Sequence, residues 1–321
     1  MVNLNSTDPH ALLLSRSFSR RDFMAASGSL GALALLGGCA NPLPLVAVPA
    51  ASDADAERRL RQSAEAHGWA AYKRLHDINV RYEGEWRPLV DSVQPAVVDK
   101  TYRGGSEERI LPAQGVVAQA YRGTAGTKQV TWRREEGTPA HPGAIAVWRN
   151  GMQTADADTL SAAALVAEGY GMFLLGPLWV LDRAERSGQP LVCEKGGSER
   201  VDGHPCEIVR VWLRPGLGRV SLDRAALSID IESGLMRRVR FTLEGFRTTQ
   251  GAVAMVDTFD HRRLFGVTWP MRSYEEVIAP IRLPAHDWRI TGLDVDRGWD
   301  VGSVSGSAFS GLAAAPAQAL P

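Results

Sequence analysis

The chain has 321 residues, 36 basic and 36 acidic, with 45% hydrophobic residues. Balanced charge leaves no basic face for nucleic acid, and 32 Arg against 4 Lys reads as genome composition rather than a phosphate-binding patch. The length suits one large domain or two small ones, ample for a substantial core.

At the N-terminus, Ser19-Arg20-Arg21-Asp22-Phe23 leads into 14 uncharged residues from Phe23 to Leu36, and Leu36-Gly37-Gly38-Cys39 follows. A basic segment, a short apolar run and small residues before a cut form a secretory signal. The run falls short of the ~20 apolar residues that a membrane span needs. Arg20, Arg21 and Phe23 resemble the twin-arginine export signal, and Leu-Gly-Gly-Cys resembles the lipobox whose cysteine is acylated after cleavage. That resemblance implies lipid attachment at Cys39 and stable membrane anchoring. Ala40 after the cysteine is similar to the pattern for outer- rather than inner-membrane retention, so the expected location is the periplasmic face of the envelope. Cleavage would remove residues 1–38, with Arg16, Arg20, Arg21, Asp8 and Asp22, leaving 33 basic and 34 acidic residues.

Residues 39–54 have no periodicity and read as a tether; the domain is expected over 55–300. Leu60, Ala64, His67, Ala71 and Leu75 predict an amphipathic helix from Asp55 to Leu75, weakened near Gly68-Trp69. Period-two alternation then predicts strands at Ile78–Glu83, Val98–Tyr102, Val116–Tyr121, Lys128–Arg134, Ala144–Arg149, Glu207–Leu213, Ser228–Glu232, Arg238–Glu244, Ala252–Asp260, Val267–Val277 and Trp288–Ile290. Asn150-Gly151, Asp202-Gly203 and Ser233-Gly234 supply reversals, which makes an antiparallel meander that must curl to stay compact. Asp156–Ala184 is the exception: a strongly apolar helical stretch, interrupted by Glu168, Gly169, Gly171, Gly176 and Pro177, predicting two short helices rather than a membrane span. Residues 301–321, rich in Ala, Ser, Gly and Pro, read as a disordered tail.

Cys193 and Cys206 could pair in an oxidising compartment. A tight turn at Asp202-Gly203 would hold them roughly 20 Å apart at ~3.3 Å per residue; a wide loop opened by Gly196-Gly197-Ser198 would let them meet. Both alternatives stand on sequence grounds.

The sequence contains no H-x-x-H or H-E-x-x-H pair, nucleophile elbow, dinucleotide loop or Walker sequence. Neither an enzyme nor a metal or cofactor site is expected. Asp257, Asp260 and His261 read as an ion or hydrogen-bonded pair at a strand end. Tyr170, Met172, Phe173, Leu174, Leu178 and Trp179 on the apolar helices, with Val130, Trp132, Trp269 and Met271 on strands, are candidate linings of an apolar ligand cavity; individually they also read as core.

One amphipathic helix, a long meander and a mid-chain apolar helical insertion together resemble the lipoprotein-carrier superfamily with the LolA/LolB-like fold. The resemblance extends to the Val201–Cys206 turn. It implies an α+β fold in which a strongly curved antiparallel sheet of about eleven strands, an incomplete barrel, holds helices on its concave side. It further implies a lipid or other long apolar ligand between sheet and helices, with acylated Cys39 on the membrane. The alternative is an adaptor lipoprotein with a packed interior that binds an envelope protein.

Overall fold

The computed structural model describes residue 43 and residues 47–134, 143–245, 249 and 251–307. Arg20, Arg21, Phe23 and Cys39 lie outside the described residues.

Helix α1 (Ala54–His67) starts where Asp53 accepts hydrogen bonds from the amides of Asp55 (2.8 Å) and Ala56 (3.2 Å), with Asp55 and Glu57 in the first turn to favour the helix dipole. It ends at Gly68 (φ 96°), where a Cβ would sit 2.2 Å from the Gly266 carbonyl oxygen, so only glycine permits this close approach. The helix expected to run on to Leu75 therefore breaks there and resumes briefly as α2 (Trp69–Tyr72).

The strands are β1 (Ile78–Trp86), β2 (Gly105–Leu111), β3 (Val116–Gly123), β4 (Gly126–Arg133), β5 (Ala144–Arg149), β6 (Met152–Gln153), β7 (Val192–Val201), β8 (His204–Leu213), β9 (Asp223–Asp230), β10 (Met236–Thr242), β11 (Val253–Leu264), β12 (Val267–Ala279) and β13 (Leu283–Val295). Between β1 and β2 lie α3 (Pro88–Val93) and α4 (Pro95–Val98); between β6 and β7 lie α5 (Ala157–Leu175) and α6 (Pro177–Ser187).

Among the described residues these strands form one antiparallel sheet, ordered β6-β5-β4-β3-β2-β1-β13-β12-β11-β10-β9-β8-β7. Only β1 beside β13 departs from sequential neighbours, joining two arms of the meander. Helix α5 touches β3, β4 and β5 on one arm and β12 on the other, while α1 touches β7, β8 and β12. A single helix reaches such distant strands only because the sheet curves around it, and the edges β6 and β7 are not paired with each other. The fold is thus an α+β curved open sheet, with thirteen strands rather than about eleven.

Alternation sets the faces. On β3, Val117, Gln119 and Tyr121 point to the helices, whereas Val116 and Ala118 pack outward against Leu111 and Val304. Residues 301–307, assigned by composition to the tail, thus begin with a packed segment: Val304 is fully buried. Another difference concerns Val98–Tyr102, which is not a strand; Pro95 opens the short α4, and Asp99 (φ 45°) turns the chain out of it.

The α5–α6 pair bends by 118° at Gly176-Pro177, and among the described residues no single helix is long and apolar enough to cross a membrane. Asp156 caps α5 through the Thr159 amide (2.8 Å). At the break, Gly176 has φ 52° and ψ −118°, and a Cβ there would press on Met236 at 2.9 Å.

Cys193 and Cys206 are free, buried thiols. The Asp202-Gly203 hairpin sets Cys206 opposite Glu199 and Cys193 opposite Val211, with an irregularity between Lys195 and Ser198. Five positions on β8 separate Val211 from Cys206, about 16 Å of strand. A disulfide cannot span that distance.

Candidate functional site

The space between sheet and helices has two chemical halves. Its apolar half is a continuous core that buries nine of the ten apolar residues singled out from the sequence, and Val130 is buried in a smaller cluster. Four of them, Tyr170, Phe173, Leu174 and Met271, line one cavity of about 10 Å³ together with Tyr82, Trp288 and Ile290. The other six are packed elsewhere. Val130 lies against Tyr121, Val147 and Ala163; Met172 and Leu178 are fully buried; Trp269 donates its indole N–H to the Leu264 carbonyl (2.9 Å). Trp132 donates to Glu168 (3.0 Å), and Trp179 is covered by the guanidinium of Arg183 at 4.7 Å. A volume of 10 Å³ is about that of one water probe, so the interior is closed around its side chains.

The polar half occupies the end where β1, β13 and β12 meet α4. Glu275 on β12 is opposite His286 on β13, which is opposite Trp86 on β1. The His286 ring stacks between Trp86 (4.0 Å) and Trp288 (4.7 Å). The Arg103 guanidinium lies 4.7 Å from the Trp86 ring and 5.4 Å from both Tyr121 and Tyr170, within cation–π range of all three.

Proton positions follow from donor chemistry. Arg103 only donates: its Nη1 bonds the Val97 carbonyl (2.8 Å) and its Nη2 the Tyr170 hydroxyl oxygen (2.8 Å). Tyr170 then gives its own proton to His286 Nδ1 (3.0 Å), leaving the histidine proton on Nε2. Burial, helped by the Arg103 charge, holds His286 neutral, well below the ordinary histidine pKa.

Two carboxyl groups share this end. Glu108 accepts from Gln119 (2.5 Å), and burial outweighs that bond and pushes it up to about 7. Burial also raises Glu275 to about 7 against the pull of Arg103. Asp99 differs: despite burial, Lys128 (2.5 Å) and Arg149 (3.1 Å) keep its carboxyl below the usual range. Arg103, His286, Glu108 and Glu275 were not legible from the sequence, because Arg103 lies in the turn before β2 and Glu108 and Glu275 sit among consecutive charged residues that read as a wet face; the aromatic residues Trp86 and Tyr121 were the available signal.

Outside this interior, a groove of about 710 Å³ crosses the outer face of β1, β13 and β12, lined by Glu83, Glu85, Arg87, Arg272, Asp287 and Arg289. Asp257 pairs with Arg238, and the His261 ring lies 3.2 Å from the Met236 carbonyl.

No protein-family model matches the chain, and no curated protein does. Among solved structures it is similar to a DUF1329 family protein from Desulfovibrio piger, at 10% identity over 79% of this chain and 99% of that one, with a TM-score of 0.47. It is also similar to a LolA superfamily protein from Nitrosomonas europaea (9% identity, 78% and 97% of the two chains, TM-score 0.45). A third is a putative outer membrane lipoprotein-sorting protein domain from Vibrio parahaemolyticus (9% identity, 78% and 97%, TM-score 0.41).

Proposed function

We propose that this chain is an envelope lipoprotein, exported through its twin-arginine signal and anchored by acylated Cys39 to the periplasmic face, the outer membrane being the favoured one, that binds an amphiphile between its curved sheet and α5. The observation that carries the reading is the meeting of two cavities. The apolar one and a polar one of about 20 Å³ share Tyr82, Tyr170 and Trp288 as lining. An amphiphile needs that sequence of surroundings: hydrocarbon burial at ~0.8 kcal/mol per methylene, then polar groups for its head. Entry requires the Tyr170 and Phe173 rings to move aside, because both cavities are closed to anything larger than water. Extraction under mild conditions followed by mass spectrometry of co-purified lipid tests the reading, with uptake of a fluorescent acyl probe as the second measurement. Protein that holds no lipid and takes up no probe would overturn it.

The packed interior together with the charged outer groove favours a second reading, an adaptor that binds an envelope protein on the outer face of β1, β12 and β13. An intact interior with no ligand uptake is its expected signature.

A further inference from the structure

The Arg103 guanidinium is enclosed by three aromatic rings, yet among the described residues no carboxylate lies within ion-pair distance of it. Its protein partners are a carbonyl and a hydroxyl, both neutral. Asp99 is already shared by Lys128 and Arg149, and Glu275 and Glu108, which feel the Arg103 charge without bonding it, are pushed up by burial to about 7. The guanidinium is half-buried and keeps its charge, and without a directly bonded counter-charge it can take an anion supplied from outside.

The surroundings fit such an anion. Arg103 lines the polar cavity with Ser106 and His286, which bring a hydroxyl donor and the imidazole Nε2–H, and with the backbone of Gly104 and Gly105. Glu83 is the one carboxylate on the same lining, and its side chain is exposed on the outer face. At about 20 Å³ the closed cavity holds little more than one water, so even a compact head enters only as the Tyr170 ring moves aside.

We infer that Arg103 is the anchor for the carboxylate head of a single-chain amphiphile, a long-chain fatty acid, whose tail runs from the polar cavity past Tyr170 and Trp288 toward Phe173 and Met271. This rests on the amphiphile-binding reading above and adds the head chemistry to it. Arg103 keeps one further N–H on each terminal nitrogen for the two carboxylate oxygens while holding Val97 and Tyr170.

The test compares cis-parinaric acid with its methyl ester, which share a chain and differ in charge, by fluorescence titration of the purified protein at pH 6, where Glu108 and Glu275, both about 7, are mostly protonated and leave the Arg103 charge to the ligand. The wild-type protein is expected to bind the acid at least ten-fold more tightly than the ester. Arg103→Gln is expected to abolish the preference by weakening the acid alone. Equal binding of acid and ester by the wild-type protein, or a preference that survives in Arg103→Gln, would overturn the carboxylate anchor and leave amphiphile binding standing. Failure of both probes to bind would overturn both. The wild-type comparison decides the matter even where Arg103→Gln does not fold.

Discussion

His67 and Glu108 pull the pH dependence of stability in opposite directions. His67 accepts from the Met236 amide at Nε2 (3.0 Å) and lies 3.1 Å from the Thr268 carbonyl at Nδ1, so it is held neutral, and burial lowers it to about 4. Between the unfolded value near 6.5 and the folded value, the unfolded chain takes up the proton first, so stability is lost as pH falls through this window, by about 3 kcal/mol in total. Glu108, raised to about 7, behaves oppositely: the folded state binds the proton first, so stability is gained as pH falls from 7 toward 4.5. Urea unfolding across pH 4.5–7 should therefore show a shallow dependence in the wild-type protein. Glu108→Gln should steepen the loss on acidification by about 1 kcal/mol per pH unit and raise stability at pH 8; an unchanged slope would show that Glu108 titrates normally. Neither role was legible in the sequence, where His67 was one more position on a helix face and Glu108 one of three consecutive charged residues.

At the scale of elements, Glu168 ties the helical insertion to the sheet. It lies mid-way along α5, buried, paired with Arg134 at the end of β4, and it accepts from Trp132 (3.0 Å) and from the Gly218 amide (2.7 Å), with Arg183 of α6 at 3.8 Å. Read along the chain, Glu168 interrupts an apolar run; in the fold it is the point where two helices, a strand and the loop before β9 converge. Glu168→Leu should leave buried guanidinium groups uncompensated and cost about 3–5 kcal/mol, measurable as a lowered urea midpoint, whereas a loss below 1 kcal/mol would mean that the arginines find other partners. Strands with clean alternation, such as β3, β4, β8 and β12, were legible for the same reason that this link was not: period-two patterns report which face is buried, not what a buried charge meets. Strand β2 escaped notice because Glu107, Glu108 and Arg109 hide its alternation, with both Glu108 and Arg109 buried on opposite faces. Ala157–Leu175 and Pro177–Ser187 were readable as two helices because Gly176 admits the positive φ of the break and Pro177 cannot continue the helix before it.

For the whole molecule, the proposed anchoring and the proposed binding should be separable. Cys39→Ser should yield protein without acyl label that no longer partitions with membranes after a high-salt wash, yet retains probe uptake, since the candidate cavities are lined by residues between Tyr82 and Ile290. Membrane partition with label retained in that variant would refute lipid attachment at Cys39. The curved sheet has a further consequence at its margins. An open sheet offers unpaired backbone at both ends, a template on which other chains could stack. One margin is the two-residue β6, too short to seed a ladder. The other, β7, carries Glu194, Lys195, Glu199 and Arg200 and loses register at Gly196-Gly197. Charge and a local kink on one side and brevity on the other guard against fibrillar self-association, so a sheet left open at both margins need not recruit copies of itself.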